Sequence, residues 1–206
     1  MAEMKPDKKS LKNILVAEDD AYYQIPIYQR PYQWGKEQCE ELLNDLFENY
    51  EDCRENDYFC GSLVFIQSDE GNKTYDIVDG QQRLSTFILL AKVLATLYSE
   101  RLTEKSKGYL QESWSDRHED GEKKKRKRLD FDLVGSSAKK DFQDALDFFD
   151  DLDASKGKNS YLKNAICLKN YLIKKEIEDI NDFIKWLYLK VNFVQSTFNL
   201  SRSENF

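Results

Sequence analysis

Residues 74–85, with the sequence TYDIVDGQQRLS, combine the end of a predicted strand, a tight turn and the start of a helix. A helix start has unpaired backbone N–H groups and the positive end of the helix dipole, which together favour an anion such as phosphate. Gly80 permits a positive φ and lets a ligand approach the backbone closely. Arg83 carries a guanidinium that can donate two N–H groups to one phosphate or carboxylate. The turn therefore predicts an anion site at Gly80, Gln81, Gln82 and Arg83.

The polar side chains of this turn allow more than one chemistry. Gln81 and Gln82 offer neutral amides that can orient a water molecule or bind a base. Asp79 could hold a metal-bound water or accept a proton, and with Gln81, Gln82 and Arg83 it would then form a catalytic site. It could instead cap the helix by accepting a hydrogen bond from the N–H of Gln82. An arginine in the first helical turn opposes the helix dipole, so Arg83 favours an anionic partner.

A second segment, residues 25–34 with the sequence IPIYQRPYQW, places one arginine among three aromatic side chains. Its two prolines disfavour helix for the residues before them, so we predict an ordered loop or a strand edge. Arg30 lies between Tyr28, Tyr32 and Trp34, which predicts a surface for a phosphate with a stacked base. The alternative is an arginine packed over aromatic rings at the edge of the core.

Together, the two segments resemble the N-terminal domain of GmrSD-type proteins, through the pairing of IPIYQRPYQW with a downstream DGQQRLST. That family contains modification-dependent restriction enzymes and related phage-defence proteins. The resemblance is strong over residues 22–102 and weaker as far as residue 198. It implies a ParB/sulfiredoxin-like fold, in which a strand, a turn and a helix bind nucleotide phosphates. It also implies an NTPase activity that regulates DNA cleavage.

The resemblance further implies which residues and partners take part. Residues 79–83 would form the NTP site, and Gln29 and Arg30 would line the same cleft or the path of DNA into it. Mg²⁺ is expected with the nucleotide because it offsets charge on the transferred phosphoryl group, and no residue is assigned as its ligand. The other expected partners are DNA, through the full-length protein, and a C-terminal nuclease domain or subunit of the HNH type. The single histidine, His118, matches no nuclease motif, so we expect no DNA cleavage by this chain alone.

Two further functions stay open at this point. One is a nucleotide- or DNA-binding switch without turnover, as in partition-type relatives, which needs the phosphate site but no group that activates water. The other is a sensor of modified DNA, with Tyr28, Tyr32 and Trp34 as its aromatic pocket.

The composition restricts the class of protein. Hydrophobic residues make up 40% of the 206 residues and charged residues 33%, which supplies enough apolar surface for a folded core. The net charge of −7 excludes an overall basic footprint for nucleic acid but permits a local one. Four cysteines without CxxC spacing argue against structural zinc and a disulfide framework. The most apolar stretch, residues 84–98, is shorter than the roughly 20 residues of a membrane span, so we expect a cytoplasmic protein.

The apolar patterns around the two segments predict an α+β fold, with a small mixed sheet followed by a mostly helical part. The predicted helices cover residues 36–50, 81–102 and 181–189 and begin near residues 136 and 159, and the predicted strands cover residues 58–67, 73–78, 129–133 and 191–198. Three parts follow: a nucleotide-binding core (1–103), a charged insertion (104–128), and a mainly helical part (129–206) that we expect to be truncated at its C-terminal end. Residues 1–10 are predicted to be a frayed terminus. The consecutive basic residues 123–128 are predicted to be a solvated loop, with phosphate contact as the alternative.

Overall fold

The computed structural model describes residues 5–16, 21–67, 74–114, 117–118, 125–126, 128–131, 134–147 and 159–199. Within these ranges the chain forms eight strands and seven helices. The strands are β1 (Lys5–Ser10), β2 (Tyr22–Gln24), β3 (Tyr58–Gln67), β4 (Thr74–Asp79), β5 (Arg117–His118), β6 (Lys125–Arg126), β7 (Leu129–Asp130) and β8 (Val191–Asn199). The helices are α1 (Leu11–Leu15), α2 (Lys36–Cys53), α3 (Gln81–Leu97), α4 (Glu104–Trp114), α5 (Ser136–Asp147), α6 (Ser160–Lys175) and α7 (Ile180–Lys190).

Six of these strands form one mixed sheet in the order β1-β8-β3-β4-β2-β7. β8 is antiparallel to β1 and parallel to β3, whereas β4 is antiparallel to β3 and parallel to β2. β7 extends the sheet beyond β2, to which it is parallel. The predicted α+β fold with a mixed sheet is thus confirmed. Because β8 lies between β1 and β3, a single sheet unites strands from residues 1–103 and from residues 129–206.

The helix that follows the DGQQR turn, α3, lies in the middle of the core. It is buried on nearly every side, as its apolar sequence predicts. The ring of Phe87 packs edge-to-face on Phe193 of β8, with 5.7 Å between the ring centroids. Burying such a side chain stabilises a fold by about 1.5–3 kcal/mol, so this packing fixes α3 firmly against the sheet. Among the described helices, none is long and apolar enough to cross a membrane.

The prediction that residues 1–10 form a frayed terminus is wrong for Lys5–Ser10. This segment is the edge strand β1 and pairs along its length with β8. The short helix α1 then begins with a capping box, in which Ser10 and Asn13 each accept a hydrogen bond from the backbone N–H of the other. The strand escapes prediction because its sequence, KPDKKS, has no apolar alternation and depends on a partner strand far along the chain.

The segment described above as a charged insertion contains a packed helix, α4. Leu110 is fully buried, and the hydroxyl groups of Ser113 and Tyr188 lie 2.6 Å apart in the interior. The ammonium group of Lys92 on α3 lies 4.0 Å from the centroid of the Trp114 ring. The low apolar content of this segment did not predict a helix, because α4 buries only a few side chains.

The basic run 123–128 is also not a simple solvated loop. Arg128 is buried, and its Nη1 donates a hydrogen bond to the backbone carbonyl of Ala21. Its own carbonyl accepts from the N–H of Tyr23 at 2.9 Å, which helps to join β7 to β2. Lys125–Arg126 form β6 and pair with β5, which contains His118. Residues 123, 124 and 127 lie outside the described residues.

Candidate functional site

The predicted strand, tight turn and helix meet at a single glycine. β4 ends at Asp79, α3 begins at Gln81, and Gly80 between them has φ 97° and ψ 1°. This left-handed conformation is costly for residues other than glycine. A Cβ at this position would also lie 2.2 Å from Cδ2 of Leu63 on β3, so a side chain here would have to displace that methyl group.

The start of α3 is not capped by a side chain. The alternative in which Asp79 caps the helix is therefore wrong. No hydrogen bond or ion pair joins the exposed Asp79 carboxylate to another described residue. The carboxylate and the N–H groups of the first helical turn are both available to a ligand.

Two arginines bring positive charge to this junction. Arg83 is half-buried, and its Nη1 donates a hydrogen bond to the backbone carbonyl of Ser62 on β3 at 3.3 Å. Arg30, from the second segment, is exposed and makes no hydrogen bond or ion pair with another described residue. Burial raises the pKa of the neighbouring Cys60 thiol to about 12, although the positive charge of Arg83 opposes the rise. The thiol therefore stays protonated at neutral pH and leaves the arginine charge available.

Gln29 attaches the second segment to the end of β4. Its Nε2 donates to the backbone carbonyls of Ile77 at 3.0 Å and Val78 at 2.7 Å. The side chain thus holds the loop of residues 25–35 beside the DGQQR turn, in agreement with its expected place at the cleft.

Gln82 attaches the same loop to the start of α3. Its Oε1 accepts hydrogen bonds from the backbone N–H groups of Gln33 at 2.7 Å and Trp34 at 3.1 Å, and its Nε2 donates to the carbonyl of Pro31 at 3.3 Å. The side chain is 8% exposed. Its amide is therefore engaged with the loop, which differs from the ligand-binding and catalytic part expected for it.

Tyr32 differs from its expected place on an exposed aromatic surface. The residue is buried, and its ring stacks on that of Tyr161 with 4.2 Å between the centroids. Its hydroxyl lies 2.7 Å from Oγ1 of Thr86 and accepts a hydrogen bond from Nδ2 of Asn164 at 2.9 Å. Burial raises the pKa of this hydroxyl far above its ordinary value. Tyr32 therefore anchors the loop in the core and is not available for stacking on a base.

The other aromatic residues of the segment are more accessible. Tyr28 is 63% exposed at the tip of the loop, next to the exposed Ile27. Trp34 is half-buried and lines the cleft described below. Of the three aromatic residues, Tyr28 is thus exposed and Trp34 partly accessible in the cleft.

These contacts bring the two predicted segments to one cleft of about 160 Å³. Its charged side chains are two arginines and one aspartate, so it has an excess of positive charge. At its buried side, Oε1 of Gln81 accepts no hydrogen bond from the described residues. The cleft is lined by Gln29, Arg30, Trp34, Asp79, Gly80, Gln81, Gln82 and Arg83.

A comparison with known families identifies the family of this chain. The family model of the GmrSD restriction endonuclease N-terminal domain matches residues 11–205. The chain belongs to this family. A search of curated proteins gives no match. The matched range includes every residue of the cleft, and the resemblance found in residues 22–102 is thereby confirmed.

A larger cavity of this GmrSD-type domain, about 540 Å³, lies between α2 and α6. It is mainly apolar at its floor, with lysines around it, and contains no residue of the two segments. The small cleft combines uncapped backbone N–H groups, two arginines and an accessible carboxylate. That combination suits phosphate chemistry, so we place the candidate functional site of the domain in the small cleft.

Sequence reasoning missed the part of β3 that contacts Arg83 of the cleft, Gly61 and Ser62. The available signal was a glycine within an otherwise aromatic and branched strand. Such a glycine often marks a bulge or a close approach of another group.

Proposed function

We propose that this domain binds the phosphate groups of a nucleoside triphosphate in the α3 cleft and hydrolyses the nucleotide to regulate DNA restriction. The observation that carries the proposal is the meeting of the uncapped start of α3 with Arg30 and Arg83. Membership of a restriction endonuclease family supports the regulatory part. The phosphate site at a strand, turn and helix supports the further proposal of a ParB/sulfiredoxin-like fold.

The size of the cleft indicates how the nucleotide would bind. A volume of about 160 Å³ is below the 300–1,000 Å³ typical of pockets that enclose a drug-sized ligand. The N–H groups of residues 80–82 and the guanidinium groups of Arg30 and Arg83 would therefore hold phosphates, and the nucleoside would lie outside. Tyr28 and Trp34 are the accessible aromatic rings nearest in sequence to Arg30, and they would contact the base.

Asp79 is suited to hold a metal ion that binds together with the nucleotide. Mg²⁺ is usually held by one or two carboxylates together with substrate phosphates, and Asp79 offers one accessible carboxylate. The described residues contain no group of three or more histidine, cysteine or acidic side chains able to hold a metal by themselves. When bound, the ion would offset phosphoryl charge. Asp79 or Gln81 would orient the attacking water.

The loop of residues 25–35 would communicate the state of the nucleotide. Gln29 binds it to β4 and Gln82 binds it to α3, so a shift at the start of α3 is passed directly to the backbone of Trp34. In the full-length protein, this movement would reach the nuclease domain or subunit and the DNA.

The test is nucleotide binding and phosphate release by the 206-residue chain, with ATP, GTP, CTP and UTP in the presence of Mg²⁺. Arg83→Ala should abolish turnover. Arg54→Ala should not, because Arg54 lies outside the cleft lining and bonds to Asp182. Binding with turnover that only the first variant loses supports the proposal and identifies the base. Absence of binding with all four nucleotides contradicts it.

The exposure of Ile27 and Tyr28 beside Arg30 favours a second candidate, either a nucleotide- or DNA-binding switch without turnover or a sensor of modified DNA. Asp79→Asn distinguishes the first of these from the enzyme: hydrolysis falls in the enzyme at roughly constant nucleotide affinity, whereas a switch has no hydrolysis to lose. A sensor predicts that modified and plain DNA bind with different affinity in the absence of nucleotide. Equal affinity removes the sensor.

A further inference from the structure

A bulge in β3 contacts Arg83, one of the residues that line the cleft. β3 pairs with β8 through Phe59 and Asn192 and then through Ser62 and Val194, so β3 contains one residue more than β8 between these pairs. Within this bulge, Gly61 has φ +119°, a conformation that L side chains rarely adopt. Bulges of this kind are frequent beside functional sites, where they redirect a neighbouring side chain.

The side chain above this glycine is Arg83. A Cβ built on Gly61 would lie 2.8 Å from Nη1, 2.9 Å from Cζ and 3.1 Å from Nη2 of Arg83. Because all three of these atoms are in close contact, the guanidinium lies against the backbone of Gly61. Its bond to the Ser62 carbonyl holds it there from one side.

We propose that Gly61 is a positioning residue for Arg83, and that its missing side chain lets the guanidinium turn back against β3 and face the cleft. The N-terminal end of the α3 dipole is positive, as is the Arg83 guanidinium, so the dipole disfavours an arginine in the first helical turn. Of its five N–H donors, one is used by Ser62, and Arg83 makes no other hydrogen bond with the described residues. The remaining donors are available to a phosphate.

Gly135 provides a matched control for the conformational strain that a side chain adds at a positive φ. Gly135 also has a positive φ, +108°, but nothing lies within 4 Å of a Cβ built on it. Gly135→Ala therefore adds the strain of a positive φ without displacing any group. Gly61→Ala adds a similar strain and also takes the place of the guanidinium, which is the flexible end of a long side chain and can move away.

As a test of binding, the proposal rests on the proposed nucleotide site. We expect Gly61→Ala to weaken nucleotide binding roughly tenfold or more, the range for a lost hydrogen bond to a charged group, and Gly135→Ala to leave it unchanged. The double variant Gly61→Ala/Arg83→Ala should bind no more weakly than Arg83→Ala alone. Full affinity in Gly61→Ala, or additive losses in the double variant, would overturn the proposal.

A spectroscopic readout separates failure of this proposal from failure of the nucleotide site. The Nε–Hε signal of Arg83 in a ¹⁵N–¹H spectrum can be assigned by its absence in Arg83→Ala. We expect Gly61→Ala to shift this signal in the protein without nucleotide, and Gly135→Ala to leave it in place. An unchanged signal refutes the positioning role even if nucleotide binds.

If Gly61→Ala does not fold, the double variant Gly61→Ala/Arg83→Ala decides the point: because the built Cβ clashes with the Arg83 side chain, removing that side chain should restore folding, and a double variant that is equally unfolded would overturn the proposal.

Discussion

The side chain of Gln82 provides the sharpest test of how the cleft is built. It makes three hydrogen bonds to the backbone of residues 31–34, and its neighbour Gln81 is equally buried but has an Oε1 that accepts no hydrogen bond from the described residues. The pair therefore offers a matched comparison: Gln82→Ala against Gln81→Ala. Both variants remove the same amide from adjacent buried positions on α3.

The expected loss follows from the bonds that are removed. Each hydrogen bond contributes about 0.5–1.5 kcal/mol net, and leaving partly buried N–H groups unpaired adds to the cost. We expect Gln82→Ala to lower the free energy of unfolding by about 3 kcal/mol. For a protein of this size that corresponds to a fall in Tm of roughly 6–12 °C. Gln81→Ala loses packing and its side-chain hydrogen bond to Tyr161 but none of the three bonds to the loop, so its Tm should fall less.

The assays are calorimetric unfolding and amide hydrogen exchange. In Gln82→Ala the backbone N–H groups of Gln33 and Trp34 should exchange faster, while in Gln81→Ala their protection should stay as in the unchanged protein. Equal Tm losses in the two variants, or unchanged exchange at these two amides, would refute the view that Gln82 attaches the loop. Loss of hydrolysis without any loss of stability would instead assign Gln82 to catalysis.

Further predictions concern the site and the buried thiols. Arg83→Ala should weaken nucleotide binding by about 1.5–3 kcal/mol in a titration, and an unchanged Kd would contradict the phosphate site. Asp79→Asn should slow phosphate release roughly 100-fold at similar affinity, measured by single turnover. The exposed Cys53 should react with a disulfide reagent at pH 8, while the buried Cys39 and Cys60 react only after unfolding. Because burial raises the pKa of both buried thiols from 9.0 to about 12, stability should hold below pH 9 and fall as the pH rises towards 12. The fall, by up to about 1.4 kcal/mol per pH unit for each thiol, is measurable by urea unfolding, and a flat profile would contradict it.

Local sequence patterns were sufficient to predict β3 and the start of α6. β3 has the predicted bounds, residues 58–67, because an uncharged segment rich in aromatic and branched residues is typical of a strand. The start of α6 was predicted from Asn159, whose side chain accepts a hydrogen bond from the N–H of Leu162. Such caps join residues a few positions apart, so the sequence contains both partners.

The two halves of the site were also visible in the sequence, as the DGQQR turn and the loop around Arg30. Their residue types predicted phosphate chemistry, and their pairing indicated the family. What joins them, the bonds from Gln29 to β4 and from Gln82 to the loop, was not predictable, because an amide binds whichever backbone groups the fold brings to it.

Only the tertiary structure decided the contacts between distant parts of the chain. Lys5–Ser10 is a strand because β8 supplies its hydrogen-bonding partner, and Arg128 is buried because the Ala21 carbonyl lies beside it. Gly61 accommodates Arg83 because β4 pairs with β3 and leads directly into the start of α3. The sequence determined which residue types are available for the proposed phosphate site. The fold determined which of them face the cleft, because burial and hydrogen bonding depend on neighbours that no local pattern specifies.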